Sequence, residues 1–354
     1  MNLQLMCPIG YTGYGYASIN LIKALNSQNH NICLFPIGQP SVEDESDASL
    51  IKHLINNFQS IPYDSTCIKI WHQFDLLNRP GNGEYFAFPF FEVDTLQTNE
   101  IYHLNFPDSI IVSSKWAKSV LEKNNITKPI HIVPLGVNLN IFDSSKMNSA
   151  SKNNYVFCTI GKWEKRKAHD SIIECFNKAF DEKDNVELWL VTHNGFLNKD
   201  EEKQWLDLVV GSKLKKKIKI FPRLAKHKDV AEVIHHSDCG IYISRGEGWN
   251  MELLETIAMN KPVIASYYSA HTEYCTPQNS YLVDMNDTEP AIDNKWFFGQ
   301  SNWGKIGPKQ IDQTIEYMRF LYHNDIRTNP SGLETAKKYS WDYSAKSLIS
   351  VLNR

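Results

Sequence analysis

Short apolar runs alternate with helix-length amphipathic stretches from the start of this 354-residue chain to its end. In the first half, Leu3–Met6, Ile32–Phe35 and Ser109–Val112 have the length and composition of buried strands. The stretch between the first two shows the apolar period of a helix. Strands and helices that alternate in this way predict an α/β protein with parallel sheets. Ligands are then expected at the carboxyl ends of the strands.

A polar segment separates two rounds of this pattern. Residues 143–153 are mainly Ser, Asn and Lys, which is typical of a linker. We therefore predict one domain over residues 1–142 and a second over residues 154–338, each long enough to bury its own core. The strands of the second domain are predicted at 155–160, 186–192, 218–221, 239–243, 262–265 and 281–283. The stretch 284–310, rich in Asp, Asn, Gly and Trp, is interpreted as a loop.

Charge and cysteine content exclude several classes of protein. A formal net charge of −3 is too balanced for bulk attraction to nucleic acid, so no nucleic-acid partner is expected. The seven cysteines form no Cys-x-x-Cys pair, which argues against a zinc site or a disulfide framework. A signal peptide and an apolar run of roughly 20 residues are both missing, which predicts a cytoplasmic protein. The basic run Lys213–Lys219 is interpreted as a solvated connection, so membrane contact is expected to be at most peripheral.

The segment Ser244–Ala258 carries two glutamates with seven residues between them, Glu247 and Glu255. Glu247 lies in a loop after a predicted strand, and Glu255 lies on the helix that follows. A helical wheel places Glu255 roughly 130° from the centre of the apolar arc, so it is expected to point out of the core. Two carboxylates suited to sugar hydroxyls would thus flank a phosphate seat. The seat is formed by the backbone N–H groups of Trp249, Asn250 and Met251. The alternative is an ordinary helix whose first acids complement its dipole.

The loop Gly161–Asp170 follows the first strand of the second domain and is strongly basic. A nucleotide diphosphate carries several negative charges, and more charge develops when it departs. Fixed cations at a strand end, here Lys162 and Lys167, can neutralise it. A solvated basic loop is the alternative, but the position at a strand end favours the functional interpretation.

A glycine-bearing loop, Pro8–Ser18, follows the first strand of the chain. Gly13 and Gly15 would let the backbone approach a phosphate or sugar closely, although a tight turn explains them equally well. Ser18 replaces the last small residue of the dinucleotide fingerprint, and no acid follows between residues 19 and 42. A nicotinamide cofactor is therefore not expected.

Two further polar side chains follow predicted strands of the first half. Glu92 is suited to a sugar hydroxyl or to the start of a helix, and His72 is either a cleft residue or a packed histidine. His235 and His236 have no third ligand at metal spacing, and the chain contains no Asp-x-Asp pair. No metal site is therefore expected.

The segment Ser244–Ala258 resembles the Glu-x7-Glu signature of retaining GT-B glycosyltransferases of family four, the glycosyl transferases group 1. Both glutamates and Gly248 match the family pattern, whereas Asn250 stands where the family usually has glycine. Further blocks extend the resemblance over nearly the whole chain, at 109–116, 131–138, 282–284 and 339–342.

The basic loop also resembles the family, which places two cations five positions apart. Lys162 and Lys167 match them, with Ala168 in place of the usual glycine. By this resemblance Glu255 would hold the ribose hydroxyls of the nucleotide, and Glu247 would face the donor sugar. The catalytic set implied is Lys162, Lys167, Glu247 and Glu92. The donor site would be lined by Glu255, Trp249, Asn250, Met251, Gly248, Gly13 and Gly15.

The resemblance implies a GT-B fold, in which two Rossmann-like domains hold parallel sheets that face each other across a cleft. The N-terminal domain would lie on the acceptor side, and residues 339–354 would pack back on it. The reaction implied is transfer of a sugar from a nucleotide-diphosphate-sugar to an acceptor hydroxyl with retained anomeric configuration. In the family an oxygen of the donor phosphate is described as helping to deprotonate the acceptor. The donor is a co-substrate, and no cofactor or metal is expected.

Two alternatives keep the fold but change the function. One is a catalytically silent subunit that binds a nucleotide-sugar or a glycan, and the other is a GT-B epimerase or phosphorylase. Glu247, Glu255, Lys162 and Lys167 together argue against loss of activity. The acceptor stays open between a glycan, a lipid-linked sugar, a protein and a small molecule.

Overall fold

The computed structural model describes residues 1–42, 44–147, 153–224 and 226–353. It divides into two compact units, the first made of Met1–Asn138 with Tyr339–Arg354 and the second of Leu139–Lys338. Residues 148–152, the middle of the predicted linker, lie outside the described residues. Each unit contains one six-stranded parallel sheet, which confirms the α/β prediction.

The first unit holds its sheet in the order β2-β1-β3-β4-β5-β6, so the order reverses between β1 and β3. Its strands are β1 (Asn2–Cys7), β2 (Asn31–Pro36), β3 (Thr66–Lys69), β4 (Tyr85–Ala87), β5 (Ser109–Val112) and β6 (Ile130–Ile132). Its first helices are α1 (Gly13–Ser27), α2 (Glu45–Asn56), α3 (Thr98–Leu104) and α4 (Lys115–Lys123).

The second unit holds its sheet in the order β12-β11-β10-β7-β8-β9, which reverses between β7 and β10. Its strands are β7 (Tyr155–Ile160), β8 (Val186–Val191), β9 (Ile218–Phe221), β10 (Cys239–Tyr242), β11 (Val263–Tyr267) and β12 (Tyr281–Asp284). Its helices are α5 (His169–Ala179), α6 (Lys199–Val210), α7 (His227–His236), α8 (Met251–Ala258), α9 (Pro308–His323) and α10 (Pro330–Lys338).

The central strands form where apolar runs are covered on both faces. All six residues of β7 are buried, and Phe157 in its middle belongs to the core of the second unit together with Ile172 and Phe176 of α5. These helix residues repeat at the spacing that predicted one apolar face. In the described part of the chain, no helix is both long and apolar enough to cross a bilayer.

The predicted loop at 284–310 is wrong. It contains an antiparallel hairpin of β13 (Thr288–Ile292) and β14 (Phe298–Gly304). Both strands carry large exposed apolar residues, Ile292 at 47 % and Phe298 at 62 %. Because only a few of the hairpin's side chains are buried, its sequence lacks the clear two-residue alternation that reveals a strand.

The last helix, α11 (Trp341–Leu352), packs against α1 within the first unit. The chain reaches it beside residues 136–137, where the N–H of Val137 donates to the carbonyl of Tyr339 at 2.8 Å. A Cβ added at Gly136 would lie 2.3 Å from the backbone nitrogen of Trp341. Glycine is therefore required for this close approach.

We expect Gly136→Ala to lower the free energy of unfolding by about 1–3 kcal/mol, because the backbone must move apart to accept the methyl group. Gly10→Ala is the matched control, since nothing lies within 4 Å of a Cβ at that position. Urea unfolding of both variants measures the difference. Equal losses of stability would contradict the close contact between Gly136 and Trp341.

Candidate functional site

Two loops lie side by side at the carboxyl edge of the second sheet. One follows β7 and spans 161–168, and the other follows β10 and spans 243–250. They are neighbours because β7 and β10 pair directly where the strand order reverses. The N–H of Arg245 joins them by donating to the carbonyl of Arg166 at 2.8 Å. Open parallel sheets bind ligands at such a reversal.

The carboxylate of Glu247 lies buried between two cations of the neighbouring loop. Its Oε2 is 2.7 Å from Arg166 Nη1, and its Oε1 is 2.9 Å from Lys167 Nζ. Burial alone would raise the pKa of Glu247, but the charges of Arg166 and Lys167 hold that pKa well below its usual range. Burial would likewise lower the pKa of Lys167, but Glu247 and Glu252 raise it. The site is therefore ionised at neutral pH.

Glu164 completes this group from the same loop. Its Oε2 lies 2.9 Å from Arg166 Nη2, and its Oε1 lies 3.3 Å from Lys162 Nζ. We call Glu164, Arg166, Lys167 and Glu247 the buried charge cluster. Arg166 also donates from Nη1 to the carbonyl of Gly246 at 2.8 Å. Arg166 thus connects both carboxylates of the cluster to the backbone of the loop after β10.

The two predicted lysines lie in different surroundings. Lys167 belongs to the buried charge cluster, whereas the side chain of Lys162 is 43 % exposed. The Nζ of Lys162 also lies 5.5 Å from the centroid of the Phe196 ring. Lys162 therefore remains accessible to an anion from solvent, and Lys167 is held in place by its carboxylate partners.

The backbone of Glu247 is fixed as firmly as its side chain. Its N–H donates to Ser269 Oγ at 2.8 Å, and its carbonyl accepts from the N–H of Ala270 at 3.2 Å. Both partners belong to the short 3-10 turn Ser269–Glu273, which follows β11. The segments that follow three neighbouring strands, β7, β10 and β11, therefore position the carboxylate of Glu247.

Asn250, the main departure from the family pattern, occupies a backbone conformation that favours glycine. Its φ of 71° and ψ of 77° lie in the left-handed region, which asparagine tolerates better than most residues. Its side chain then does what glycine cannot, because Oδ1 accepts from the N–H of Leu253 at 3.3 Å and caps α8. Ala168 in the other loop, which also replaces a family glycine, has a φ of 59°.

A buried histidine fixes the amide of Asn250. His271 Nδ1 lies 3.0 Å from the Ser266 carbonyl, which only accepts, so Nδ1 carries the proton. Nε2 then accepts from the Asn250 amide at 2.9 Å. Burial lowers the pKa of His271 to about 4, so the ring is neutral at pH 7, as this arrangement requires.

We expect Asn250→Ala to lower the free energy of unfolding by at least about 2–3 kcal/mol, because it loses the cap and the bond to His271 and keeps the left-handed strain. Asn250→Gly loses the same cap and the same bond to His271, but it should be more stable than the alanine variant by about 1–2 kcal/mol, since glycine adopts this backbone freely. Denaturant titration of the two variants makes the comparison. If the alanine variant were as stable as the glycine variant, the left-handed strain at residue 250 would be refuted.

The residues predicted to hold the donor lie on or before α8. Trp249 is buried with its ring 5.0 Å from that of Tyr274, Gly248 is buried, and Met251 begins the helix. Glu255 is only 3 % exposed. The helical wheel places its side chain away from the apolar arc of α8, but the side chain is covered by protein there and does not face solvent. Their roles toward a nucleotide stay predictions.

The first unit holds the other predicted residues. Gly13 and Gly15 do not lie in a loop but in the first turn of α1. A Cβ on Gly15 would meet the nitrogen of Gly10 at 2.4 Å, so packing within the protein accounts for this glycine. Glu92 follows β4 and His72 follows β3, both at the carboxyl edge of the first sheet. Their catalytic roles stay predictions.

The sequence interpretation missed Arg166, Glu164 and Arg245. In the Lys165-Arg166-Lys167 run nothing in the order of residues shows which side chains turn inward. Arg245 is buried, with Nε 3.1 Å from Glu289 Oε1 and Nη1 donating to the Lys165 carbonyl at 2.7 Å. It attaches the β13–β14 hairpin to the basic loop.

No group of three metal-type ligands occurs among residues 1–42, 44–147, 153–224 and 226–353.

Residues 154–294, which contain both loops, match the family model described as glycosyl transferases group 1. Over this segment, the chain is similar to the glycosyl transferases group 1 family. An uncharacterized glycosyltransferase of Methanocaldococcus jannaschii is 23 % identical over 179 residues. That match spans 47 % of this chain and 41 % of the archaeal protein, less than half of either.

Two solved structures resemble the whole chain in fold. Sucrose-phosphate synthase from Thermosynechococcus elongatus has a TM-score of 0.74 at 13 % identity, covering 100 % of this chain and 98 % of that one. HepE from Anabaena, solved in complex with UDP-glucose, has a TM-score of 0.70 at 12 % identity, covering 100 % and 99 %. At these identities the likeness shows the fold, which confirms the GT-B prediction.

Proposed function

We propose that this chain is a glycosyltransferase that moves a sugar from a nucleotide-diphosphate-sugar to an acceptor hydroxyl with retention of anomeric configuration. The observation that carries the proposal is the ion pair of Lys167 with Glu247, formed where the family's basic loop and Glu-x7-Glu segment meet. This pair lies at the strand-order reversal of the second sheet, where a nucleotide is expected. UDP-glucose, which HepE holds in its solved complex, is the first donor to test.

The basic loop would receive the diphosphate. Lys162 is exposed and near the loop's surface, so it is the first cation that an incoming donor meets. Lys167 would then neutralise the charge that develops on the leaving diphosphate as the bond from the sugar C1 breaks. The acceptor oxygen forms the new bond to C1 on the same face, and its proton passes to an oxygen of the departing phosphate.

Arg166 explains how Lys167 could change partners. Glu247 is bound to both cations, through Oε2 to Arg166 and through Oε1 to Lys167. A diphosphate that attracts Lys167 would free Oε1 for a sugar hydroxyl, while Arg166 still holds Oε2. Glu247 would therefore stay ionised throughout, and no buried charge would be left without a partner. Glu255, on the same helix that begins at Met251, would hold the ribose.

We expect wild-type protein to release UDP from UDP-glucose and Lys167→Ala to lower turnover at saturating donor by on the order of 10²–10³. Donor affinity should fall less, because the contribution of Lys167 grows as the bond breaks. UDP release at saturating donor and calorimetric donor affinity give the two quantities.

Lys165→Ala is the matched control for this loop. Lys165 stands two positions away and pairs with Asp170 rather than with Glu247. It should keep wild-type turnover. A folded Lys167→Ala protein with unchanged turnover would remove Lys167 from the mechanism, and a wild-type protein that neither binds nor cleaves any nucleotide-sugar would refute the proposed activity.

A further inference from the structure

The tip of the β13–β14 hairpin rests on the segment that follows β8. We call residues 192–198 the β8 loop, which leads into α6. Lys295 at the tip of the hairpin has its Nζ 2.8 Å from Glu201 Oε2 in the first turn of α6. The ring of Trp296 meets the ring of Phe196 in the β8 loop edge-on, with centroids 5.4 Å apart and planes inclined by 89°. An ion pair and an aromatic contact therefore fix the tip at two neighbouring points.

The base of the hairpin is fixed on the other side of the basic loop. Glu289 of β13 pairs with Arg245, which lies in the segment after β10. The N–H of Gly304, at the end of β14, donates to the carbonyl of Arg245 at 2.6 Å. The strand order β10-β7-β8 places the basic loop, which follows β7, between these two attachment points. The hairpin therefore spans the basic loop from one neighbouring segment to the other.

Phe196 contacts the basic loop at Lys162. The Nζ of Lys162 lies 5.5 Å from the centre of the Phe196 ring and 3.3 Å from Glu164 Oε1. Although the Lys162 side chain is 43 % exposed, its ammonium group thus has an aromatic ring and a carboxylate as neighbours. Phe196 and Trp296 are themselves 53 % and 51 % exposed, so neither ring is used to fill the core. Half-exposed rings beside a cation indicate an interaction with that cation.

The backbone on both sides of this contact is held in place. Asn194 of the β8 loop is buried, with Nδ2 donating to the Trp163 carbonyl at 2.9 Å and Oδ1 accepting from the Phe196 N–H at 3.1 Å. It therefore joins Phe196 to the residue next to Lys162. His169 Nε2 lies 2.8 Å from the Lys162 carbonyl, which only accepts, so this nitrogen is the donor. Because the main chain is fixed at both residues, the side-chain contacts decide where the ammonium group of Lys162 lies.

We propose that Phe196 and Trp296 are positioning residues for Lys162, through which the hairpin sets the cation that first meets the donor diphosphate. This rests on the proposed function, which assigns that role to Lys162. An aromatic ring attracts an ammonium group without neutralising its charge, so Lys162 keeps its full charge for an anion. A cation that is already held in place also loses less freedom when a ligand binds. Trp296 acts one step further out, by keeping the Phe196 ring turned toward Lys162.

Inorganic pyrophosphate tests the role of Phe196, because it carries a diphosphate group without a base or a sugar. The full chain is labelled with ¹³C at the lysine ε-carbons, and the Lys162 signal is assigned by its loss in Lys162→Arg. Phe196→Leu keeps apolar bulk but removes the ring. The Lys162 ε-protons should then lose their ring-current shift, and pyrophosphate affinity measured by titrating the same spectra should fall about two- to fivefold. Phe196→Tyr keeps a ring and should retain both.

Three further variants separate this role from a general effect on the fold. Trp296→Ala should move the Lys162 signal in the same direction as Phe196→Leu and weaken pyrophosphate binding by no more than that variant does. Phe298→Ala is the matched control, because Phe298 is an aromatic residue of the same hairpin that is 62 % exposed, and it should leave both readouts unchanged. In a Lys162→Ala protein, Phe196→Leu should cause no further loss of pyrophosphate affinity, since its effect acts through Lys162.

The positioning role would be overturned by a Lys162 signal that does not move in Phe196→Leu, by equal pyrophosphate affinity in wild type and Phe196→Leu, or by a loss that persists in the Lys162→Ala protein. None of these results affects the proposed activity, which depends on Lys167 and is measured by UDP release. Pyrophosphate binding that depends on both Lys162 and Phe196, in a protein that cleaves no nucleotide-sugar, would refute the proposed activity and leave the positioning role standing.

Discussion

The burial of the Glu247 carboxylate between Arg166 and Lys167 is the interaction on which the second unit's site depends. Removing a carboxylate from water costs several kcal/mol, and only close cations with good geometry offset that cost. Here both oxygens of Glu247 are within 3 Å of a cation. The same contacts hold together two loops that are far apart in sequence. Arg166 and Gly246, which are hydrogen-bonded, are 80 positions apart.

This arrangement restricts the backbone around it. Ala168 ends the basic loop and Asn250 caps α8, and both adopt left-handed conformations. The side chain of Asn250 caps α8 and donates a hydrogen bond to His271. A glycine at this position would provide neither contact and would leave the backbone more flexible. The loop after β10 is therefore held by side-chain contacts of Asn250 on both sides.

Strands that are buried on both faces could be predicted from sequence. β7 is predicted at its observed bounds, because a run of six residues in which only Thr159 is polar is typical of a strand covered on both faces. The hairpin of β13 and β14 could not be predicted. Apolar residues such as Ile292 and Phe298 face solvent there, so the sequence lacks the alternation of buried apolar and exposed polar residues that indicates a strand. Lys167 and Glu247 could be assigned to one site because both follow parallel strands. Arg166 could not, because the inward turn of its side chain depends on Glu247, which is 81 residues away in the sequence.

The ionisation state of Glu247 tests this account most directly. The ¹³C signal of its side-chain carboxyl, assigned by comparison with Glu247→Gln, can be followed from pH 7 down to pH 3. A depressed folded-state pKa means that the carboxylate stays charged while ordinary glutamates titrate at about 4.3. We predict that the Glu247 signal stays at its ionised position over this range and that Arg166→Gln brings a titration into it. A wild-type midpoint near the ordinary value would show that the two cations do not hold this carboxylate, and the account of the site would be wrong.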